Sequence, residues 1–582
     1  MSDESTLGRE PITIVELDQD FCTREYGLSP CTAAIGVTGS FKCYNTRKTC
    51  QDSANYSVDS HGFTNSLTIS FTQPRANLQA APGEIGTLFP TLIDVSSRPS
   101  EINIEDGLGT RASVTITLRD HPYHDRYVDP YWQTRGIDAI NLGTFWSKWL
   151  RRNPYYQGRA IRIRDGYIGQ LLGDMRTRHY VIENIEGPNA SGEIRITAKD
   201  PLKMTDGDRA VAPLPSSGSL LADINAAAVS ATLAPTGIGS TYPASGTARV
   251  GEELVTFARS GDVLTLVRGQ GNTTAEDQEA GSTVQVCLVY QDEAIADALY
   301  DLLVGYTDIP ATSLPKTDWD ETALTWLASF NLTGVITQPT SVKKILTELL
   351  QTSMSYMWWD EVAQEVKWDA IHPPLQTPQE LNEDQHLIQN SIAFTAKPED
   401  RVSQVWVYFA PILQTKDLDK PSNYKRLRVY ADTDAESVQE YGQKSIRIIY
   451  ARFFDETNDG EVIALAARTL ARNRDTPRIA AFSLDAKDRA IMPGDVVELI
   501  TRDLIDENGY PESQQYQIIR RDETEAGHLV QYVALPYTFL YRYAYVMPDG
   551  SADYDGDPPD RAGYISQNDG TMINDDDAYR II

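Results

Sequence analysis

Alternation of apolar and polar residues over short runs is the feature that most constrains the fold of this 582-residue chain. In the N-terminal third, every second residue is apolar in one run after another. This period of two places one face of a strand in a core and the other in water, which is typical of antiparallel sheets or barrels. The runs occupy residues 11–17, 66–71, 112–118, 160–164, 179–185 and 193–198.

Helical patterns are fewer and shorter than the strand patterns. Thr144 stands at a cap position before a short helix over 145–150, and Ser341 stands at one before a helix over 342–350. Apolar residues at helical spacing predict two more, over 292–303 and over 459–473. Strand patterns return towards the C-terminus, at 495–499 and 516–519. The sequence therefore predicts a β-rich fold of the α+β class.

The length of the chain predicts three to five domains, because a single core seldom serves more than about 200 residues. A Pro-, Ser- and Gly-rich joint at 212–218 is followed by short strands with Gly and Asp turns, typical of a small inserted barrel or sandwich. The last 36 residues hold nine Asp and two Arg, which favours an extended tail. The predicted units are an N-terminal β-domain with a cysteine cluster (1–210), the inserted module (211–290), an α+β domain (291–400), a C-terminal β-barrel (401–545) and an acidic tail (546–582).

The charge balance argues against tight binding of nucleic acid. The chain has 52 basic and 82 acidic residues, a net charge of −30, whereas nucleic-acid binding depends on Lys and Arg that displace counterions. An acidic surface would serve solubility, or a channel through which DNA slides without sticking. No run of 18 apolar residues exists, and the polar N-terminus lacks the features of a signal peptide. We therefore expect no membrane span and folding in a cytoplasm.

Four of the five cysteines lie within 29 residues, at Cys22, Cys31, Cys43 and Cys50. Disulfides would require an oxidising compartment, which a cytoplasm is not. Four thiolates also satisfy zinc, but zinc sites usually contain a close Cys pair, and here 8, 11 and 6 residues intervene. An iron–sulfur cluster is larger, so widely spaced loops can reach it. All three chemistries remain open from the spacing, and Cys287, in an apolar strand, is expected to be a buried core thiol.

Residues around the cysteines suit a compact loop. Gly27, Gly36 and Gly39 allow tight folding round a centre, although each of them could equally mark an ordinary turn. The segment 44–47, between the last two cysteines, offers side chains that could donate hydrogen bonds to a ligand or to sulfur.

The segment 42–52, with Asn55 and Tyr56 soon after it, resembles a motif of tail-tip proteins of siphophages and gene transfer agents. Weaker likenesses are scattered along nearly the whole chain. They lie at 117–122, 128–131, 198–202, 251–253, 268–269, 493–497, 516–518, 563–566 and 579–582.

The resemblance implies a hub protein of a phage tail tip or baseplate, built of tandem β-barrels and assembled as a homotrimer. Such a hub joins the tail tube to the receptor-binding tip and forms part of the DNA ejection channel. In these relatives the cysteines hold an iron–sulfur cluster, which implies a 4Fe-4S cluster on Cys22, Cys31, Cys43 and Cys50, with zinc as the alternative. The implied partners are a distal tail ring protein, a tape measure protein and fibre proteins of the same virion, with DNA passing without tight binding. The implied location is the virion tail tip, after assembly in the host bacterial cytoplasm.

No catalytic constellation is evident in the sequence, so we predict that the chain is not an enzyme and name no catalytic residue. The segment 119–125 groups two His and two Asp, but a polar loop at a strand end explains it better than a metal site. The aromatic segment 356–359 is more typical of a core or a subunit interface than of a sugar platform. The alternative functions are a receptor- or glycan-binding adhesin, through the 211–290 module, and a wall-degrading enzyme of the tail tip.

Overall fold

Strands and short helices alternate along the whole chain, and the predicted β-rich α+β fold class is confirmed. The computed structural model describes residues 10–57, 66–74, 88–206, 210–328, 330–372, 374, 377–437, 441–506, 508–525, 529–537, 563–564 and 580–581. Within these residues, most strands belong to one eight-stranded and two six-stranded sheets.

The N-terminal unit is an eight-stranded sheet with the order β3-β2-β1-β6-β7-β8-β5-β4. Its edge strands, β3 and β4, are consecutive in the sequence and only two residues apart, so the sheet curls until its edges approach each other. The result is a nearly closed barrel. Its strands are β1 (Pro11–Asp20), β2 (Ser66–Thr72), β3 (Leu88–Phe89), β4 (Leu92–Arg98), β5 (Ser113–Arg119), β6 (Ala160–Tyr167), β7 (Arg176–Glu186) and β8 (Glu193–Lys199).

Helix α1 (Phe145–Arg152) packs against the core of this barrel. Its first turn begins in a capping box between Thr144 and Ser147, as the sequence predicted for the cap position. The Trp146 N–H also donates to the Asp120 carboxylate over 2.9 Å. Phe145, Trp146 and Trp149 are buried among the apolar residues of the strands, so the helix completes the barrel core.

The next unit is a small six-stranded barrel. Its sheet order is β10-β11-β14-β13-β12-β15, and a bridge between Ser219 and Thr283 closes the first strand on the last. The fold thus contains the small inserted β-domain that the alternation and turns predicted. Its strands are β10 (Ser219–Leu220), β11 (Ser230–Ala234), β12 (Ser245–Val250), β13 (Glu253–Ser260), β14 (Val263–Gln270) and β15 (Val284–Val286), and the strand before it is β9 (Val211–Ala212).

A helical layer follows, and it forms much of the largest apolar core in the described residues. Strand β18 of this part pairs with β9, which precedes the small barrel in the sequence. The elements are β16 (Leu288–Ala294), α2 (Ile295–Tyr306), α3 (Lys316–Trp326), β17 (Asn331–Ile336), β18 (Thr340–Ser341), α4 (Val342–Ser353), β19 (Ser355–Asp360) and β20 (Glu365–Ala370).

The last large unit combines a six-stranded sheet with a three-stranded one. The order of the larger sheet is β21-β27-β28-β29-β26-β22, and that of the smaller is β24-β23-β25, with α5 packed on β23 and β24. The elements are β21 (Gln379–Asn382), β22 (Ala393–Ala396), β23 (Gln404–Pro411), β24 (Tyr424–Ala431), β25 (Ile446–Ala451), α5 (Asp459–Asn473), β26 (Arg478–Asp485), β27 (Val496–Ile500), β28 (Gln514–Glu525) and β29 (Leu529–Pro536).

Several sequence predictions need correction in detail. Helix α2 begins three residues later than expected because the residues before it belong to β16, which pairs with β17. Ser341 precedes α4 as predicted, but its side chain makes no capping hydrogen bond. Helix α3 and the sheet of β23 to β25 were not predicted. Most of the predicted acidic tail, 546–582, lies outside the described residues; within it, β30 (Gly563–Tyr564) pairs with β31 (Arg580–Ile581).

No helix in the described part of the chain is both long enough and apolar enough to cross a membrane.

We predict that Glu253→Gln will destabilise the small barrel. Its carboxylate is almost fully buried and accepts two hydrogen bonds from Arg268, at 2.7 and 2.6 Å, and one from the Gly269 N–H at 2.9 Å. Loss of one partner of such a buried pair costs about 3–5 kcal/mol. Faster hydrogen exchange in β13 and β14 and a lower unfolding temperature would report it.

The exposed neighbour Glu252→Gln is the matched control and should change stability by less than about 1 kcal/mol. Burial alone would raise the pKa of Glu253, but the hydrogen bonds from Arg268 and from the Gly269 and Glu276 N–H groups lower this pKa overall. Its contribution to stability is therefore present above the unfolded pKa and is lost as the pH falls through the folded value. Equal stability of both variants at neutral pH would contradict the prediction.

Candidate metal centre

The loop between β1 and β2 brings the four clustered cysteines to one pocket. Cys22 lies two residues after β1, and Cys31, Cys43 and Cys50 follow within the loop 21–57. All four side chains line the same pocket, and all four are free thiols that are partly buried. The structure thus brings together every residue predicted as a ligand, while their binding of a metal stays a prediction.

Hydrogen bonds join the start of the loop to its middle. The Cys22 N–H donates to the Asn45 carbonyl over 2.8 Å, and the Asn45 side-chain amide donates back to the Cys22 carbonyl over 3.1 Å. Asn45 has a φ of 55°, a left-handed conformation that Asn tolerates better than most residues. Its side-chain oxygen also accepts a hydrogen bond from the Cys43 thiol, with 3.4 Å between Sγ and Oδ1. The first and third cysteines are therefore joined through one residue.

Gln51 connects the two halves of the loop beside Cys50. Its side-chain oxygen accepts hydrogen bonds from the Tyr26 hydroxyl at 2.8 Å and the Thr38 hydroxyl at 2.9 Å, and its amide donates to the Phe41 carbonyl. A side chain at Gly39 would overlap Gln51, with a Cβ only 2.5 Å from Nε2. Gly39 is therefore required for close packing at this point.

Asp52, next to Gln51, makes a second connection within the loop. Its carboxylate accepts hydrogen bonds from the Thr32 N–H and hydroxyl, at 2.7 and 2.8 Å, and from the Asn55 amide at 3.0 Å. Thr32 directly follows Cys31 in the sequence. These contacts fix the second and fourth cysteines relative to each other.

Arg135 anchors the cysteine loop to the body of the N-terminal unit. Its guanidinium donates to the carbonyls of Lys42 and Cys43, each over 2.8 Å, and forms an ion pair with Asp129. Burial lowers the pKa of Arg135, but the hydrogen bonds and charge of Asp129 raise it further, so the net shift is upward. Arg135 is therefore a permanent cation next to the backbone of a predicted ligand.

The ring of Tyr44, next to Cys43, lies between two guanidinium groups. Arg135 is 3.7 Å and Arg152 is 3.8 Å from the ring centroid. Arg152 is itself held by the Asp125 carboxylate over 2.7 Å. Cation–π contacts of this kind contribute roughly 0.5–2 kcal/mol each, so Tyr44 ties the loop to α1 and to the 120–136 segment.

The thiols lie close enough to influence one another electrostatically. Burial raises the pKa of Cys43, a hydrogen bond from the Asn45 backbone opposes this, and repulsion from Cys50, Cys22 and Cys31 adds to it. The pKa of Cys50 is raised for the same reasons, burial first, with the Asp52 backbone opposing. Metals bind the thiolate form of cysteine. A metal cation among the sulfurs would therefore offset the repulsion between them.

A zinc ion and an iron–sulfur cluster need different arrangements of the four sulfur ligands. Zinc binds thiolate sulfur at about 2.3 Å, so its four ligands must crowd around a single point. Among the described residues, no group of three or more His, Cys, Asp or Glu side chains is close enough to hold one metal ion. A four-iron cluster takes one thiolate at each iron, so its sulfurs stand farther apart around a common pocket. Four thiols around one pocket are the ligand set of either group.

The other residues that the sequence singled out have structural roles. Cys287 is buried in the core at the junction with the small barrel, as predicted. In the segment 119–125, the Asp120 carboxylate accepts from the N–H groups of His121 and Trp146, and the His121 ring stacks on Phe145. This segment is a strand-end loop that supports α1, as expected.

The aromatic segment 356–359 contributes to the core. Tyr356, Met357 and Trp359 are buried, and the ring of Trp358 stacks on that of Tyr356 at 5.4 Å. The prediction of a core role for this segment is confirmed.

Sequence reasoning missed the residues that hold the loop from outside. Tyr131 accepts a hydrogen bond from the Tyr26 N–H over 2.9 Å, and Asp129 and Arg135 anchor Lys42 and Cys43. All three lie more than 70 residues beyond the end of the loop, where local spacing carries no signal. Asp129 and Tyr131 belong to the segment 128–131, which only a resemblance singled out in the sequence.

We predict that Tyr44→Leu will loosen the cysteine loop, whereas Tyr44→Phe will not. Leucine removes the ring between Arg135 and Arg152, while phenylalanine keeps it. Hydrogen exchange and limited proteolysis of the loop 21–57 would measure the change, with an expected loss of about 1–3 kcal/mol in local stability. Equal protection in both variants would show that the ring is dispensable.

Comparison with known proteins gives limited relationships. No protein-family model matches the sequence, and no curated protein matches it. Solved structures similar to the chain include a tail protein from Neisseria meningitidis MC58, with 11% identity, a TM-score of 0.36 and coverage of 76% of this chain and 95% of that one. A 43 kDa tail protein of prophage MuSo2 from Shewanella oneidensis has 9% identity, a TM-score of 0.35 and coverage of 76% and 98%. A chain of a native gene transfer agent virion has 14% identity, a TM-score of 0.27 and coverage of 48% and 65%. At these identities and scores, the likenesses assign no family to the chain.

Proposed function

We propose that this chain is a structural hub protein of a long-tailed phage tail tip or baseplate, with a 4Fe-4S cluster bound by Cys22, Cys31, Cys43 and Cys50. The hub would connect the tail tube to the distal receptor-binding parts and form part of the DNA ejection channel. Its role would be structural, and the cluster would stabilise the fold without carrying out turnover.

One observation carries the cluster proposal: the four clustered thiols line one pocket. A four-iron cluster takes one thiolate at each of its irons, so four thiols around one pocket suit it. The thiols are free, which leaves each sulfur available as a ligand. Zinc remains the second candidate, and metal analysis separates the two.

The residues around the pocket would have defined tasks towards such a cluster. The Cys43 thiol, which now bonds to Asn45, would become a thiolate ligand, and Asn45 could turn its amide towards sulfur. Arg135 would balance the negative charge of four thiolates from behind the Cys43 carbonyl. When bound, the cluster would cross-link four points of a long loop and so contribute binding energy to folding.

Support for the hub role comes from the sequence likenesses along the chain and from the charge. A net charge of −30 per chain would make the wall of a trimeric channel strongly acidic, and such a wall repels the DNA backbone. The partners would be a second and third copy, the distal tail ring protein, the tape measure protein and fibre proteins. The location would be the virion tail tip, after assembly in the host cytoplasm.

Anaerobic purification is expected to yield a brown protein with iron and acid-labile sulfide in equal amounts. Absorbance near about 400 nm, from charge transfer between thiolate and iron, would accompany them. A colourless protein with one zinc per chain would replace the cluster by a zinc site. A protein that contains neither metal and has two disulfides would refute the metal centre.

Cys43→Ser is expected to lower the iron content by at least half and to reduce the protection of the loop 21–57 from proteolysis. Cys287→Ser is the matched control, because this thiol is buried far from the pocket in sequence and lines none of it. Iron analysis and limited proteolysis of both variants, purified anaerobically, would measure the effect. The same iron content in both would remove Cys43 from the ligand set.

The hub role has its own test, independent of the metal. Light scattering of the purified chain should give the mass of a trimer, and antibodies to it should label the tail tip of the particles in electron micrographs. Absence of the chain from assembled particles would refute the hub role even if the cluster is present.

A further inference from the structure

A second pocket lies far from the cysteines, between α4, β25 and α5. The space among its lining residues, its open mouth included, is about 890 Å³. Because this figure includes open solvent, the pocket is an open cleft and not an enclosed cavity. Its apolar wall is formed by Ile104, Met354, Ile371, Ile448, Ile449 and Tyr537.

The polar part of the pocket is dominated by arginine. Arg447, Arg468 and Arg472 line it together with a single carboxylate, Glu105, and that carboxylate is already paired with Arg447. Arg468 and Arg472 are four residues apart on α5 and therefore lie on the same face of the helix. In a chain with a net charge of −30, such an excess of positive charge is a local exception.

Arg472 gives the strongest indication of a ligand. Its Nη2 atom is buried, and it has no hydrogen-bond partner among the residues that the structure describes. Burial lowers the pKa of Arg472, yet a guanidinium remains charged at neutral pH. A buried charged donor without a partner costs about 1–3 kcal/mol or more, so the site favours an anion that would accept a hydrogen bond from this atom.

We propose that this pocket binds an organic anion in which a carboxylate is attached to an apolar body. The carboxylate would accept two hydrogen bonds from the Arg472 guanidinium, the geometry that arginine favours. The apolar body would lie against the isoleucine wall and Tyr537. An inorganic anion would leave that wall in water, and a neutral apolar molecule would leave the guanidinium unpaired.

Octanoate is a suitable probe. Acetate has the carboxylate without the long apolar chain, and octan-1-ol has the chain without the carboxylate. Calorimetric titration of the full chain should show one octanoate site per chain, and both acetate and octanol should bind at least tenfold more weakly. Equal binding of octanol would reduce the pocket to a simple apolar groove and overturn the proposal.

Arg472→Gln is expected to weaken octanoate binding at least tenfold, because it removes the charge and half of the donor fork. Arg502→Gln is the matched control, since Arg502 is almost fully exposed and should leave the affinity unchanged. The same affinity in the Arg472 variant and the control would overturn the proposal.

A second variant covers the case in which Arg472→Gln fails to fold. Ile448 lies on the pocket wall but is half exposed, so Ile448→Asp should leave the fold intact. It places a carboxylate beside the arginines and should weaken octanoate binding at least tenfold. Unchanged octanoate affinity in this variant would also count against the site.

Discussion

The candidate metal centre depends on one guanidinium. Arg135 donates to the carbonyls of Lys42 and Cys43 and is held in turn by Asp129, so the cysteine loop is attached to residues distant in sequence. A long loop without regular structure has a high conformational entropy, which a single local turn cannot overcome. The contacts of Arg135, together with the stacking of Tyr44, provide the long-range restraint. They add to the hydrogen bonds inside the loop, through Asn45 and Asp52, which already join the cysteines in pairs.

The N-terminal barrel is in turn fixed to the rest of the molecule by a buried ionic network. Arg176, on β7, forms ion pairs with Glu361 and with Glu523 on β28, and the Tyr180 hydroxyl donates to Glu361 over 2.6 Å. Next to it, Arg178 pairs with Asp165 over 2.7 Å inside the barrel. Buried pairs of this kind contribute little net stability compared with apolar packing, but each strongly opposes any arrangement that leaves a charge unpaired. The network therefore specifies how three sheets meet.

The sequence predicted many of the elements whose burial is periodic, although it missed β23, whose side chains alternate in burial. The alternating runs correspond to strands of the N-terminal barrel, and α5 has the bounds that its Ala and Leu repeat indicated. Helix α3 buries little more than Trp319 and Ala323, so it shows no apolar stripe. Strand β24 is exposed over nearly its whole length, and its sequence shows no alternation for the same reason. In each case, the tertiary environment decides the structure.

The two sites differ in how well they could be predicted from the sequence. The cysteines are rare and clustered, so their convergence could be anticipated from the chain alone, although the residues that hold them could not. Arg472 belongs to a regular helix and looks like any solvent-exposed charge in the sequence. The pocket that it lines is also lined by Ile104, Ile371 and Tyr537, which come from distant parts of the chain. No local pattern records such a pocket.

The small barrel leaves and rejoins the main chain at nearly the same place. The Gln285 side chain, at its end, donates to the Leu214 carbonyl over 2.9 Å and accepts from the Ser216 N–H over 3.0 Å, so the two ends lie side by side. Because its two ends meet, the module is an insertion whose length and surface can diverge while the elements on either side keep their geometry. Evolution can therefore rework this part of the protein with little effect on the fold that carries the cysteines.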